Sequence, residues 1–161
     1  MLSSVFPSLY AFNPMSSRTL PTILSVEYIP ADELIISPKM HVAPGDAISA
    51  IGIFQPLKMV EPASSETTPE RTENGLVYTT IVQGAIFDDN ELTMLHRLQT
   101  KFHCYRISDV YRNKYLVGID EGPYPEISFI PSTGRTPADR RAVSFEIKWI
   151  STLPPVDIIE F

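Results

Sequence analysis

The chain has 161 residues, enough for one domain that buries about 70% of the surface its unfolded form exposes. Its formal net charge is −6 and its 13 Lys and Arg residues form no basic run, which disfavours a surface that tracks nucleic-acid phosphates. The single cysteine, Cys104, excludes an intrachain disulfide and a cysteine-based zinc site, while 15 prolines against 7 glycines argue for short strands, turns and extended arms.

Residues 1–20 mix Leu2, Val5, Phe6, Leu9, Tyr10 and Phe12 with Ser, Pro and Asn. Their spacing fits neither a strand nor a long helix. They read as an N-terminal arm, laid either on a neighbouring subunit or on its own domain, or left as a disordered tail. Pro7 and Pro14 interrupt the segment, and it lacks the positive start and unbroken apolar core of a signal peptide. No run approaches the ~20 apolar residues that span a bilayer, so a soluble intracellular protein is expected.

A domain is expected over 21–152. Thr22–Ile29 reads as a strand, Leu34–Ile36 as a short apolar run, and Ala47–Phe54 as a strand after the Pro44-Gly45 turn. Residues 61–74 are polar and acidic, with Glu61, Glu66, Glu70 and Glu73 against Arg71, and read as a long exposed loop or a hairpin tip. Leu76–Phe87 is rich in β-branched residues and reads as a strand in which Gly84 marks a bulge or a close backbone approach. Asp88 and Glu91 form a capping-box pattern before a helix striped by Leu92, Met94, Leu95 and Leu98, with His96, Arg97 and Lys101 near its C-terminal end.

Phe102–Ser108 and Tyr115–Ile119 read as a hairpin, with a turn in Asp109–Lys114 around Arg112-Asn113, since Asn tolerates a positive φ. Glu126–Ile130 is a short strand, and 131–141 a second long loop carrying Arg135, Arg140 and Arg141. Ala142–Ile150 alternates strictly, with Val143, Phe145, Ile147 and Trp149 on one face. After Pro154-Pro155 the tail 153–161, with Val156, Ile158, Ile159 and Phe161, is expected to leave the sheet. The sum is an α+β domain: a mainly antiparallel β-sheet, one amphipathic helix packed on it, and extended terminal arms.

Chemistry-bearing motifs are sparse. His41, His96 and His103 lack metal-ligand spacing, and His103 and Cys104 alternate on a strand. Helix capping accounts for Asp88 beside Asp89, and a turn for Asp120-Glu121. Gly134-Arg135-Thr136 lacks the lysine of a phosphate-binding loop. No catalytic residue, cofactor or metal is therefore expected. A rival reading, a small-ligand or carbohydrate-binding β module, requires Tyr105, Tyr111, Tyr115 and Tyr124 to form an exposed concave cluster. Charge placement suggests that the arginines of 131–141 meet the acidic 61–74 segment of a neighbouring copy.

The segments NELTMLHRLQTKF, Val110 to Lys114, YLVGIDEGPYP, EISFI, TPADRRAVSFEIKWI and LPPV together form a recurring pattern over residues 75–155, about half the chain. In this it resembles small neck or tail-completion proteins of Bacteroidetes tailed phages and prophages, crAss-like phages included. The pattern consists of small residues and turns. The chain departs from it with Asn113-Lys114 where Asn-Gly is common, and its N-terminal half has no counterpart there. The resemblance implies a non-enzymatic virion protein made in the bacterial host cytoplasm. It would form a head–tail connector or tail-completion ring with copies of itself and with portal, neck or tail proteins. DNA would pass through the lumen without specific binding, and no membrane is involved. The subunit-interface candidates on this reading are Phe6, Tyr10, Phe12, Glu66, Glu70, Arg135, Arg140, Arg141, Ile158 and Phe161.

Overall fold

The computed structural model describes residues 16–37, 42–87, 92–131 and 142–159. Through them run β1 (Arg18–Thr19), β2 (Ile23–Pro30), a 3-10 turn (Ala31–Glu33), β3 (Ile35–Ser37), β4 (Ala47–Ile51), β5 (Gln55–Pro56) and β6 (Ser64–Thr72). There follow β7 (Gly75–Phe87), α1 (Leu92–Thr100), β8 (His103–Asp109), β9 (Lys114–Val117), β10 (Glu126–Pro131), β11 (Ala142–Ser151) and β12 (Val156–Ile158). The domain is mainly β with one α-helix among the described residues, as its patterning implies. The expected single sheet is two. One has five antiparallel strands in the order β1-β6-β7-β11-β10. The other has seven, in the order β3-β4-β12-β9-β8-β2-β5, with β4 and β12 parallel.

The sheets share one core. Tyr78 and Val82 on β7, Val143, Phe145, Ile147 and Trp149 on β11, and Ile127 on β10 face inward from the five-stranded sheet. Val26, Tyr105, Ile107, Tyr115 and Val117 meet them from the seven-stranded sheet. Each such aliphatic side chain contributes roughly 1.5–3 kcal/mol by leaving water. The Trp149 indole donates to the Pro123 carbonyl at 3.0 Å, which satisfies the polar edge of that ring. Helix α1 passes beside β10 and turns Leu98 into the core, with Met94 and Leu95 half-buried against it.

The seven-stranded sheet also curls. Ile29, Ile36, Ile48, Cys104, Leu116 and Val156 occupy its other face and are all buried. Past the end of β4, Gly52 has φ +153° and lies against the Ile29 side chain of β2, so a Cβ there would collide with Ile29 Cδ1. That contact brings the second strand of the sheet against the sixth and gives the sheet a concave interior of its own.

Several segments differ from the sequence reading. Residues 64–72 are not a loop but strand β6. Ser65 and Thr67 point inward and are buried, while Glu66, Thr68 and Glu70 point out. Of these two, Thr67 is satisfied, its hydroxyl bonding that of Thr80 across the strands at 3.0 Å, whereas the Ser65 hydroxyl is buried without a hydrogen-bond partner among the described residues. The β6–β7 turn is Glu73-Asn74, closed by Thr72, whose hydroxyl donates to the Gly75 carbonyl at 2.8 Å. Gly84 keeps register with Phe145, so it marks close approach and not a bulge: a Cβ there would lie 2.9 Å from Phe145 Cε1 and 3.0 Å from Ala63 Cβ.

The C-terminal tail leaves the sheet of β11, as expected, but joins the seven-stranded sheet as a further strand. Pro154-Pro155 end the line of β11, and the chain then inserts β12 between β4 and β9. Part of the N-terminal arm is likewise structured, since β1 pairs with Thr67 and Glu66 of β6. The pairing is short for a physical reason. Leu20 donates to Ser65 O, so odd-numbered β6 residues face β1, and Pro69 presents no N–H there. In the β8–β9 hairpin the positive φ, 67°, falls on Arg112 and not on Asn113. The helix cap at Asp88 and Glu91, residues 1–15, and the loop 132–141 lie outside the described residues.

Candidate interaction surfaces

The chemistry-bearing side chains are placed structurally. His96 is exposed on α1, while His103 is buried with Nδ1 3.0 Å from the Lys101 carbonyl. Burial lowers the His103 pKa, against the opposing pull of that backbone bond. Cys104 sits on the concave face and donates its thiol to Ile119 O at 3.3 Å. Burial, with Asp120 nearby, pushes its pKa up to about 12, so it is a thiol and not a thiolate at neutral pH. His41 lies outside the described residues. Among those described, no group of three His, Cys, Asp or Glu side chains is arranged to hold a metal.

The four tyrosines do not form a concave exposed cluster. Tyr105 and Tyr115 are core residues, Tyr111 is 73% exposed, and Tyr124 is half-buried against Phe102 with ring centroids 4.8 Å apart. Two of the four side chains that a sugar would stack on are thus consumed by packing.

Two polar constructions escaped the sequence reading. Asp109, buried at the end of β8, accepts from the Tyr111 and Asn113 amides, each at 2.9 Å, and from the Tyr115 hydroxyl at 3.1 Å. It organises the hairpin turn expected around Arg112-Asn113. The second is Arg106 on β8, which donates Nε and one Nη to the two oxygens of Glu27 on β2, both at 2.9 Å. Its guanidinium also covers the Phe54 ring at 4.1 Å, tying the segment after β4 to the sheet. A directly opposite Glu–Arg register pair is readable only once strand pairing is known.

Of the interface candidates, Glu66 and Glu70 project from the outer face of the five-stranded sheet. A transverse row Glu66–Ile81–Lys148–Glu126 crosses that face, and Glu146 lies on it too. Ile158 is placed differently: it pairs with Ile48 and packs half-buried on the protein's own core. Phe6, Tyr10, Phe12, Arg135, Arg140, Arg141 and Phe161 lie outside the described residues. Their anchor points are nevertheless set. The segment 132–141 leaves from Pro131 and returns at Ala142, beside Phe87 at one end of β7. The acidic hairpin tip, with Glu70 and Glu73, sits beside Gly75 at the other end of that 13-residue strand. At a rise of ~3.3 Å per residue the two ends are about 40 Å apart.

Comparison with protein-family models, with curated proteins and with solved structures returns no match. No helix among the described residues is long and apolar enough to cross a membrane.

Proposed function

We propose that this chain is a structural subunit that assembles with copies of itself head to tail, as a component of a virion head–tail connector or tail-completion ring. The observation that carries the assembly reading is the polarity of the five-stranded sheet. Its acidic tip and the anchors of its arginine-bearing loop stand at opposite ends of β7. The tip and those anchors stand about 40 Å apart, several Debye lengths at physiological salt, which disfavours pairing within one subunit. Pairing between subunits is instead a heterologous contact, which forms a ring where its rotation per step closes. The virion assignment is supported by the sequence resemblance over 75–155.

Strand addition is a poor alternative route to assembly. β1 and β5 have two residues each and β3 has three. Pro56 lies in β5, Pro38 follows β3, and Pro125 and Pro131 bracket or end β10. Prolines and short edges of this kind blunt edge-to-edge pairing. Light scattering and electron microscopy test the proposal directly. Wild-type protein should give rings or discrete oligomers, Arg140→Glu with Arg141→Glu should give monomers, and adding Glu70→Lys with Glu73→Lys should restore assembly. A strict monomer at high concentration, or assembly indifferent to charge reversal, overturns it.

A further inference from the structure

The face of the seven-stranded sheet that meets the five-stranded sheet is only partly covered. Register places Tyr115, Asp157, Ala47, Ser49, Ile51, Ile35 and Ser37 on that one face, running from β9 through β12 and β4 to β3. Cover extends as far as Tyr115, whose ring lies 5.6 Å from the Arg18 guanidinium of β1. β1 is the edge of the five-stranded sheet. Beyond it Ile35 is 51% exposed, Ile51, directly opposite on the neighbouring strand, is 52% exposed, and Ile159 beside Ser49 is 44% exposed. With Ala47, Ser37 and Ser49 these residues make an apolar flank, bordered on the Tyr115 side by the exposed Asp157.

We infer that this flank is the docking surface for the chain's own residues 1–15. The described chain begins at Ser16, two residues from Arg18, so the segment enters at the border of the uncovered face. Pro69 prevents it from continuing along the β6 edge, as shown above, which turns it away from the five-stranded sheet. Fifteen residues reach about 50 Å when extended, several times the width of three strands at ~4.8 Å spacing. Composition matches as well. Residues 1–15 carry no charged side chain and include Leu2, Val5, Phe6, Leu9, Tyr10 and Phe12, a chemistry suited to three exposed isoleucines; the outer face of the other sheet also exposes Ile130 and Ile150, but among Glu66, Glu70, Glu126, Glu146 and Lys148. This inference stands on its own geometry and holds whether or not subunits form rings.

Limited proteolysis of the full chain with chymotrypsin tests it, following cleavage after Phe6, Tyr10 and Phe12 by the mass of the released fragments. Docking should protect these bonds in the wild type, independently of protein concentration. Ile35→Glu with Ile51→Glu should speed cleavage at least about tenfold, the loss of roughly 1.4 kcal/mol of docking when cleavage follows the open population. Ile150→Glu, on the outer face of the other sheet, should leave the rate unchanged. Because these isoleucines are exposed, the variants should keep the wild-type circular dichroism; should the double variant misfold, Ile51→Ser carries the test. Wild-type cleavage rates in the flank variants overturn the inference. So does protection that vanishes on dilution, which would mean that the segment comes from another copy. Loss of assembly in the charge-reversed variant with protection intact would separate this inference from the ring proposal.

Discussion

Removing the Asp109 carboxylate should cost about 3 kcal/mol, a figure that follows from its three partners. The Tyr115 hydroxyl is buried, and Asp109→Ala leaves it without its acceptor, a loss of roughly 1–3 kcal/mol. The Tyr111 and Asn113 amides belong to exposed turn residues, so water recovers much of what they lose, leaving about 0.5–1 kcal/mol each. For a domain of this size that sum lowers Tm by roughly 6–12 °C. Urea and thermal unfolding measure it. Tyr115→Phe alone should cost about 1 kcal/mol, and the double variant should cost less than the sum of the two, because both singles remove the same bond. Strict additivity, or a loss below about 1 kcal/mol for Asp109→Ala, would refute the view that this carboxylate holds the β8–β9 hairpin together. Arg112 keeps its positive φ in either case, so a small loss would mean that the backbone alone specifies the turn.

Two further outcomes are expected. Gly84→Val should destabilise by roughly 1–3 kcal/mol through overpacking against Phe145 and Ala63, whereas Gly84→Ala should cost less, because the ring edge can shift and the unfolded chain loses freedom; combining Gly84→Val with Phe145→Leu should recover part of the loss in denaturant melts. His103, whose pKa burial lowers, binds a proton more readily in the unfolded chain, so stability should be full above its ordinary value near 6.5 and fall as pH drops below it. His103→Gln should flatten that part of the stability–pH curve, and an unchanged slope would assign the effect to other groups.

The alternating strand β11 was legible from sequence because its face is buried by large apolar residues and its back is polar. β6 was not, because its inward positions are Ser65, Thr67 and Pro69, which look like a loop until Thr80 supplies a hydroxyl partner. β12 was hidden for the opposite reason. Pro154-Pro155 do break a strand, but a break followed by a parallel return cannot be distinguished from an exit in one sequence. The helix was legible through its leucine stripe, of which Leu98 is buried and Leu95 half-buried. The exposed flank was invisible because Leu34, Ile35 and Ile36 form an unbroken apolar run, in which period 2 cannot say that Ile35 alone faces out. Glu66 and Glu70 were correctly read as exposed, but their meaning changed once they stood on a rigid strand.

Proline enrichment and charge polarity then combine into one argument. Strand edges blunted by proline limit how two copies can meet, and they leave faces, ends and side chains as the available contacts. On the proposed assembly, an acidic tip about 40 Å from the anchors of the arginine-bearing loop would make an end-to-end meeting directional. Directional contacts between identical rigid bodies set a fixed rotation per step, and the closure of that rotation decides the number of subunits. Side chains on the faces then tune the angle. Within this scheme the row Glu66–Ile81–Lys148–Glu126 is the part of the sheet surface best placed to alter it, since it spans four adjacent strands. Lys148→Glu removes the only cation from that row without touching the core. It should leave Tm nearly unchanged while shifting the oligomer distribution seen in light scattering, and an unaltered distribution would remove this face from the assembly contact.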